Sequence, residues 1–261
     1  MEDALDYEQF KASVYTLTKI DLNAYKEKQM KRRIDSLIAK NGFPGYQQYI
    51  SAIQHDGNLF EEFVNYLTIN VSEFWRNPEQ WKVLETEVMP KLIKNFGNRL
   101  KIWSAACSTG DEPYSLVMLL SRFMPLSDIH IMATDIDKQV LEKATVGLYN
   151  EKSLTGLPKD LKDKFFTKIG ANNYQIADEV KKCVTFKQHN LLRDAYPQNF
   201  DLIVCRNVLI YFTDDAKLEI YKKFNNSLRQ GGHLFIGSTE QIINYKDINF
   251  SSYKSFFYIK N

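Results

Sequence analysis

Apolar side chains recur at helical spacing through the first 70 or so residues. Phe10, Val14 and Leu17 form one stripe, Met30, Ile34, Leu37 and Ile38 a second, and Leu59, Phe60, Phe63, Val64 and Leu67 a third. Such periods predict amphipathic helices that pack together as a small bundle. Gly42, Pro44 and Gly57 punctuate them. A further helix is expected from Asn77-Pro78 to about Gly97. Asn can cap it, Pro suits the first helical position, and Trp81, Leu84, Val88 and Met89 give an apolar face. From Leu100 the pattern changes. LKIWSA, IHIMATD, VTFKQHN, FDLIVC and HLFIGS read as buried strands, and SFFYIK as a last strand. Helices are expected between them at about Pro113–Phe123, about Lys138–Thr145, and from Thr213-Asp214-Asp215 to about Leu228, where Gly231-Gly232 ends the helix. Strands alternating with helices predict a parallel sheet wound by right-handed crossovers.

Residues 150–183 break that alternation with a stretch rich in charge and turn residues, too long for a plain connection. It reads as a small inserted subdomain with a hairpin around Gly170-Ala171-Asn172-Asn173. The expected organisation is a helical N-terminal domain over 1–76, a linking helix over 77–98, and an α/β domain over 99–261 carrying a β insert at about 150–183. The formal net charge is only +2, so any electrostatic preference for a partner must come from a local patch. Cys107, Cys183 and Cys205 are widely spaced and form no CxxC pair, and the four histidines are scattered; no metal site is expected. MEDALDYEQF has no basic region followed by an apolar run, and no stretch approaches the roughly 20 apolar residues of a membrane span. A cytoplasmic protein is expected, without membrane insertion.

Ligands of a doubly wound sheet bind beyond the carboxyl ends of the strands. After the first strand comes S-A-A-C-S-T-G-D-E-P, Ser104 to Pro113, whose small side chains suit a tight turn that leads into a helix N-terminus. Asp135 ends the second strand, 25 residues beyond Gly110, a spacing that suits a carboxylate accepting from a ribose hydroxyl pair. Capping of the following helix is the other role for such a residue, and Asp137 could fill it. Asn190-Leu191 follows the third strand and Arg206-Asn207-Val208-Leu209-Ile210-Tyr211-Phe212 the fourth. An Asn there can read an adenine edge or merely form a turn. T-I-N-V-S-E-F-W-R-N-P, Thr68 to Pro78, is by composition an ordinary loop.

In this order, S-A-A-C-S-T-G-D-E-P-Y-S, A-T-D-I-D, H-N-L-L, C-R-N-V-L-I-Y-F and the Gly231-Gly232 pair, preceded by T-x-N-x-S-x-F-W-R, resemble the chemotaxis receptor methyltransferases, the CheR family. The resemblance runs over nearly the whole chain. It implies an all-α N-terminal domain followed by a Rossmann-like S-adenosylmethionine-dependent methyltransferase domain with a small β insert. It implies methylation of glutamate side chains on the cytoplasmic helical bundle of methyl-accepting chemoreceptors, in chemotactic adaptation. Asn70, Ser72 and Arg76 would reach the cofactor from the N-terminal side, with Ala105 in the small-residue turn. Glu112 would meet the methionine amino group and Asp135 the ribose hydroxyls. Asn190 with Leu191, and Asn207 with Val208, would line the adenine and methionine portions. Arg76 and Tyr211 would stand near the transferred methyl group. Many relatives carry Thr at the position of Ser72 and Phe at that of Trp75. The insert is also shorter around Gly170 to Tyr174 than in relatives whose longer glycine-containing loop grips a receptor-tail peptide.

A glutamate nucleophile is already ionised at neutral pH, with a reference pKa of about 4.3, so no general base is needed. Arg76 and Tyr211 would act chiefly by positioning. The second helix carries Lys26, Lys28, Lys31, Arg32 and Arg33 against Glu27 alone. A run of this kind is a solvated face or, with an acidic helical bundle as substrate, a docking face. A nucleic-acid methyltransferase is the first competing expectation, weakened by the even charge balance and by the lack of Pro-Pro after Asn207. A non-catalytic cofactor-sensing module that binds receptors is the second. A nicotinamide dehydrogenase is more distant, since G-x-G-x-x-G spacing is absent. A monomer is expected, with S-adenosylhomocysteine as the released product.

Overall fold

The computed structural model describes residues 2–261. The chain folds as two compact units. One holds the chain up to Asn70 together with Tyr211–Leu218, and the other Val71–Ile210 with Glu219–Asn261.

The first unit contains α1 (Glu2–Thr18), α2 (Glu27–Lys40), α3 (Tyr46–His55) and α4 (Gly57–Thr68). The three predicted stripes point inward through Phe10, Val14, Met30, Ile34, Leu37, Ile38, Phe63 and Leu67, all buried. Helix α3 was not among the predicted elements. Its face is Tyr46, Tyr49 and Ile53, and tyrosines read weakly as apolar positions. Here the rings are the packing: Phe10 lies 4.9 Å from Tyr46 and Tyr49 lies 5.8 Å from Phe63, centroid to centroid. Asp56 caps α4 by accepting from the Asn58 and Leu59 amides. The segment 211–218 joins this unit through main-chain bonds. Lys26 N donates to Tyr211 O at 2.9 Å and Thr213 N to Ala24 O at 2.8 Å. The Phe212 ring stacks on Tyr25 at 4.6 Å.

The second unit opens with α5 (Pro78–Val83), a π turn (Leu84–Val88) and α6 (Met89–Phe96) in one helical run ended by Gly97. Pro90 lacks an N–H and would crowd the carbonyl four residues back; a widened turn just before it relieves both. Trp81, Leu84, Val88, Met89 and Leu92 enter the core of this unit, so the run predicted as a connection is part of the α/β body. Asn77 does not cap it as expected. Its backbone is left-handed, with φ 61°, and its side-chain oxygen accepts from Arg206 instead.

The remaining elements follow in order: β1 (Lys101–Ala105), α7 (Asp111–Leu120), β2 (His130–Asp135), α8 (Lys138–Val146), β3 (Leu148–Asn150), α9 (Lys159–Phe165), β4 (Phe166–Ile169), β5 (Asn173–Ile176), α10 (Asp178–Lys181), β6 (Val184–Gln188), β7 (Phe200–Cys205), α11 (Asp214–Ser227), β8 (Leu228–Ile236), β9 (Phe250–Lys254) and β10 (Phe257–Lys260). The main sheet has the order β6-β2-β1-β7-β8-β10-β9. Its first five strands are parallel; β10 and β9 are antiparallel, so the sheet is mixed rather than parallel throughout. Strand β9, FSSYK, was missed because its polar residues hide a pairing strand. The glycine pair does not end α11. The helix stops at Ser227, β8 begins at the next residue, and Gly231-Gly232 lie inside β8 where its register against β7 shifts. The insert is a three-stranded sheet in the order β3-β5-β4, with β4 and β5 forming the expected hairpin.

Candidate functional site

Strand order reverses at β1, which lies between β2 and β7, so the carboxyl ends of these strands mark the crevice where such sheets take ligands. Backbone strain concentrates there. Trp75, Asn77, Ala106, Ser108 and Asn207 all have φ between 48° and 65°, a region that non-glycine residues seldom occupy.

The turn after β1 is held from several sides. Cys107 N donates to Thr134 O at 2.9 Å, and Ser108 N donates to Asp135 Oδ2 at 2.8 Å. Tyr149 donates its hydroxyl to Thr109 O at 2.7 Å. Gly110 has φ 89°, and a Cβ there would lie 2.9 Å from the Ala144 side chain, so no other residue fits without displacement. Glu112, in the first turn of α7, accepts from Ser104 Oγ at 2.8 Å and stands 3.8 Å from the Arg206 guanidinium. Burial pushes its carboxyl up to about 7, against the pull of Arg206 and Ser104. Asp135 closes β2. Its oxygens accept from the Ser108 and Asp137 amides, and burial raises it to about 6. Asp137, not Asp135, caps α8 by accepting from Gln139 N at 2.9 Å.

The 71–80 segment reaches the same region. Ser72 hydrogen-bonds the buried Asp111 at the start of α7. Trp75 stacks on Trp81 at 4.9 Å and donates its amide to Ser115 Oγ. Arg206, following β7, is buried and donates through Nη2 to Arg76 O at 2.7 Å, Asn77 Oδ1 at 3.1 Å and Gln80 Oε1 at 2.8 Å. Its guanidinium lies 4.7 Å from the Phe235 ring centroid. Desolvation pulls Arg206 below its ordinary pKa while Glu112 opposes this. Arg76 itself is half-buried and donates to Val71 O at 3.3 Å.

Within the α/β unit, then, the fold brings Ala105, Glu112, Asp135, Asn207 and Val208 to neighbouring strand ends, with Ser72 tied to Asp111 and the Arg76 carbonyl tied to Arg206. Asn70 and Tyr211 belong to the helical unit, where the Asn70 amide donates to Thr68 Oγ1 at 2.8 Å. Asn190 follows β6 as a turn former: its Oδ1 accepts from Leu192 N at 2.9 Å, and Leu191 is buried. Lys26, just before α2, and Lys28 and Arg32 on it are exposed, and Lys31 and Arg33 half-buried. Arg33 is engaged inside its own unit, donating to Tyr66 O at 2.7 Å with its guanidinium 4.6 Å from that ring. Sequence reasoning gave no role to Arg206, Ser104 or Glu240. The last accepts four backbone amides around the loop after β7. A charged residue closing a buried strand, and an acidic one in the G-S-T-E turn after β8, were the available signals.

A strand-end crevice, a small-residue turn and an acidic residue ending β2 define an α/β domain that takes a nucleotide-type ligand. Residues 70–258 match the profile described as "CheR methyltransferase, SAM binding domain", which makes this unit an S-adenosylmethionine-binding methyltransferase domain. Residues 5–68 match "CheR methyltransferase, all-alpha domain". The chain is 43% identical over 255 residues to a chemotaxis protein methyltransferase of Listeria innocua, covering 98% of this chain and 97% of that one. It is 33% identical to a chemotaxis protein methyltransferase of Borreliella burgdorferi, covering 91% and 88%. The chain belongs to the CheR family of chemotaxis methyltransferases.

Proposed function

We propose that this protein transfers a methyl group from S-adenosylmethionine to glutamate side-chain carboxylates of chemoreceptors, forming glutamyl methyl esters used in chemotactic adaptation. The observation that carries the reading is the set of polar groups at the ends of β1, β2 and β7 in a chain of this family. The cofactor suits this set. Ser108 Oγ and Asn207 Oδ1 are buried there without a hydrogen-bond partner, and buried polar atoms of that kind call for a ligand. When bound, S-adenosylmethionine supplies a methyl group on a positively charged sulfur.

The chain's own residues do the rest. Asp135 has acceptor capacity beyond the amides it already receives and holds the ribose hydroxyls. Glu112, held by Ser104, accepts from the methionine ammonium. Asn190 with Leu191, and Asn207 with Val208, line the adenine and methionine portions beside Ala105. Ser72 and Arg76 close the cofactor side, Ser72 acting through Asp111. Arg76 orients the incoming carboxylate, which is ionised at neutral pH and needs no base. The exposed Lys26, Lys28 and Arg32, flanked by Lys31 and Arg33, form the face that steers a glutamate-rich receptor bundle. The protein acts in the cytoplasm as a monomer, without nucleic acid or a metal.

The test is transfer of tritiated methyl from S-adenosylmethionine to receptor-containing membranes, followed by alkali. Radioactivity released as volatile methanol is the expected result. Label that resists alkali, or none at all with cofactor binding intact, rejects carboxyl methylation.

A further inference from the structure

Glu240 stands in the turn that leaves β8 and is 5% exposed. A carboxylate so buried must find strong donors, and here all four of its hydrogen-bond partners are main-chain amides. Oε1 accepts from Val208 N at 3.1 Å and Leu209 N at 2.8 Å; Oε2 accepts from Asn207 N at 3.0 Å and Gly237 N at 2.6 Å. Three consecutive amides of the loop after β7 therefore converge on one side chain. That convergence requires the loop to curl, and Asn207 supplies the bend with φ 60°. It also requires the two backbones to approach closely. A Cβ on Gly237 would lie 2.7 Å from Asn207 N and 2.7 Å from Glu240 Oε2. Without the carboxylate, the Asn207, Val208 and Leu209 amides would lose their acceptor, with Leu209 N the most deeply buried of the three, although the Arg206 and Tyr211 contacts still hold the two ends of the loop.

We propose that Glu240 is a positioning residue for methyl transfer: its carboxylate sets the backbone of Asn207–Leu209 in the shape that receives the cofactor, acting through Asn207 and Val208. The inference rests on the reading above that Asn207 and Val208 line the cofactor. A carboxylate is required rather than a carboxamide. Four N–H donors take up the acceptor sites of both oxygens, and Glu240→Gln would turn an NH2 group against one of the pairs.

The experiment titrates S-adenosylhomocysteine into the full-length wild type, Glu240→Gln, Glu240→Ala and Gly237→Ala, with a thermal melt of each and KM for both substrates. Glu240→Gln should melt cooperatively yet bind roughly tenfold more weakly, the loss of about one buried charge-assisted hydrogen bond. KM for S-adenosylmethionine should rise while KM for receptor stays put. Gly237→Ala should reproduce that split, since it pushes on the same amide. Formate, which offers two carboxylate oxygens, should restore affinity to Glu240→Ala where chloride does not. The proposal is overturned if any folded variant keeps wild-type affinity, if receptor KM rises in step with cofactor KM, or if formate has no effect on folded Glu240→Ala. Should Glu240→Ala not fold, the affinities of Glu240→Gln and Gly237→Ala decide alone. A wild type that binds no S-adenosylhomocysteine overturns both the cofactor site and this inference, and that outcome is visible before any variant is made.

Discussion

Glu112 is a carboxylate in a place that disfavours charge, and its pH behaviour follows from that. Burial lifts it to about 7 and lifts Asp135 to about 6, from ordinary values of 4.5 and 3.8. The native state therefore holds these two protons more tightly than the unfolded chain. Their contribution to stability is full below the unfolded values and is lost as pH rises through about 4 to about 7. With Glu112 in its proposed role, cofactor binding should run the other way, because a cationic ammonium needs Glu112 ionised. Affinity for S-adenosylhomocysteine should climb from about pH 5.5 and level off above about pH 7.5, by up to tenfold per unit, with protons released on binding. Glu112→Gln should abolish the climb. Calorimetry in buffers of different ionisation enthalpy measures both effects, and a flat wild-type profile would contradict the assigned role. At this scale sequence spacing took the argument part of the way. It put Asp135 at a strand end but left ribose binding and helix capping open; only the hydrogen bond from Gln139 N to Asp137 shows which Asp caps. Asn190 Oδ1 accepts from Leu192 N in the turn after β6, a contact that its neighbours in sequence do not reveal. Arg206 went unassigned because its three acceptors lie about 130 residues earlier in the chain.

Among the elements, the turn between β1 and α7 bears the most constraint. Gly110→Ala meets both a left-handed φ and the Ala144 side chain, so it should lower stability by about 2–4 kcal/mol and weaken cofactor binding as Ser108 is displaced. A denaturant midpoint unchanged from wild type would show that the turn is looser than the geometry says. Periodicity located these elements well where burial is one-sided or complete, as in β7, whose six residues are all buried. It failed where the chemistry of the side chains blurs the pattern. The tyrosine face of α3 and the polar face of β9 are two such cases. It also failed at Gly231-Gly232, because glycine marks a departure from ordinary backbone without saying whether a helix end or a strand irregularity causes it.

For the whole molecule the question is how an enzyme of formal net charge +2 would find the acidic helical bundle proposed as its substrate. The answer proposed is local: the exposed Lys28 and Arg32 of α2. Lys28→Glu with Arg32→Glu should raise the apparent KM for receptor severalfold, more at low salt, and leave S-adenosylhomocysteine affinity unchanged. Receptor kinetics identical to wild type would remove the docking face. Arg33 is the wrong residue for this test, because its tie to the Tyr66 carbonyl means that losing it would loosen α2 against α4. The outline of helical domain, methyltransferase domain and β insert was legible in motif order. The seam was not, because the helical unit is discontinuous in sequence: it includes Tyr211–Leu218, seated on Ala24–Lys26 by two main-chain bonds and the Phe212–Tyr25 stack. The helical domain is therefore not a cassette. A chimera that exchanges only the first 70 residues for a relative's would mate a foreign Tyr25 surface with a native Phe212 strip. Recombination within the family should be tolerated best when both pieces travel together, so residues 22–26 and 211–213 should be exchanged as one although nearly two hundred positions of chain separate them.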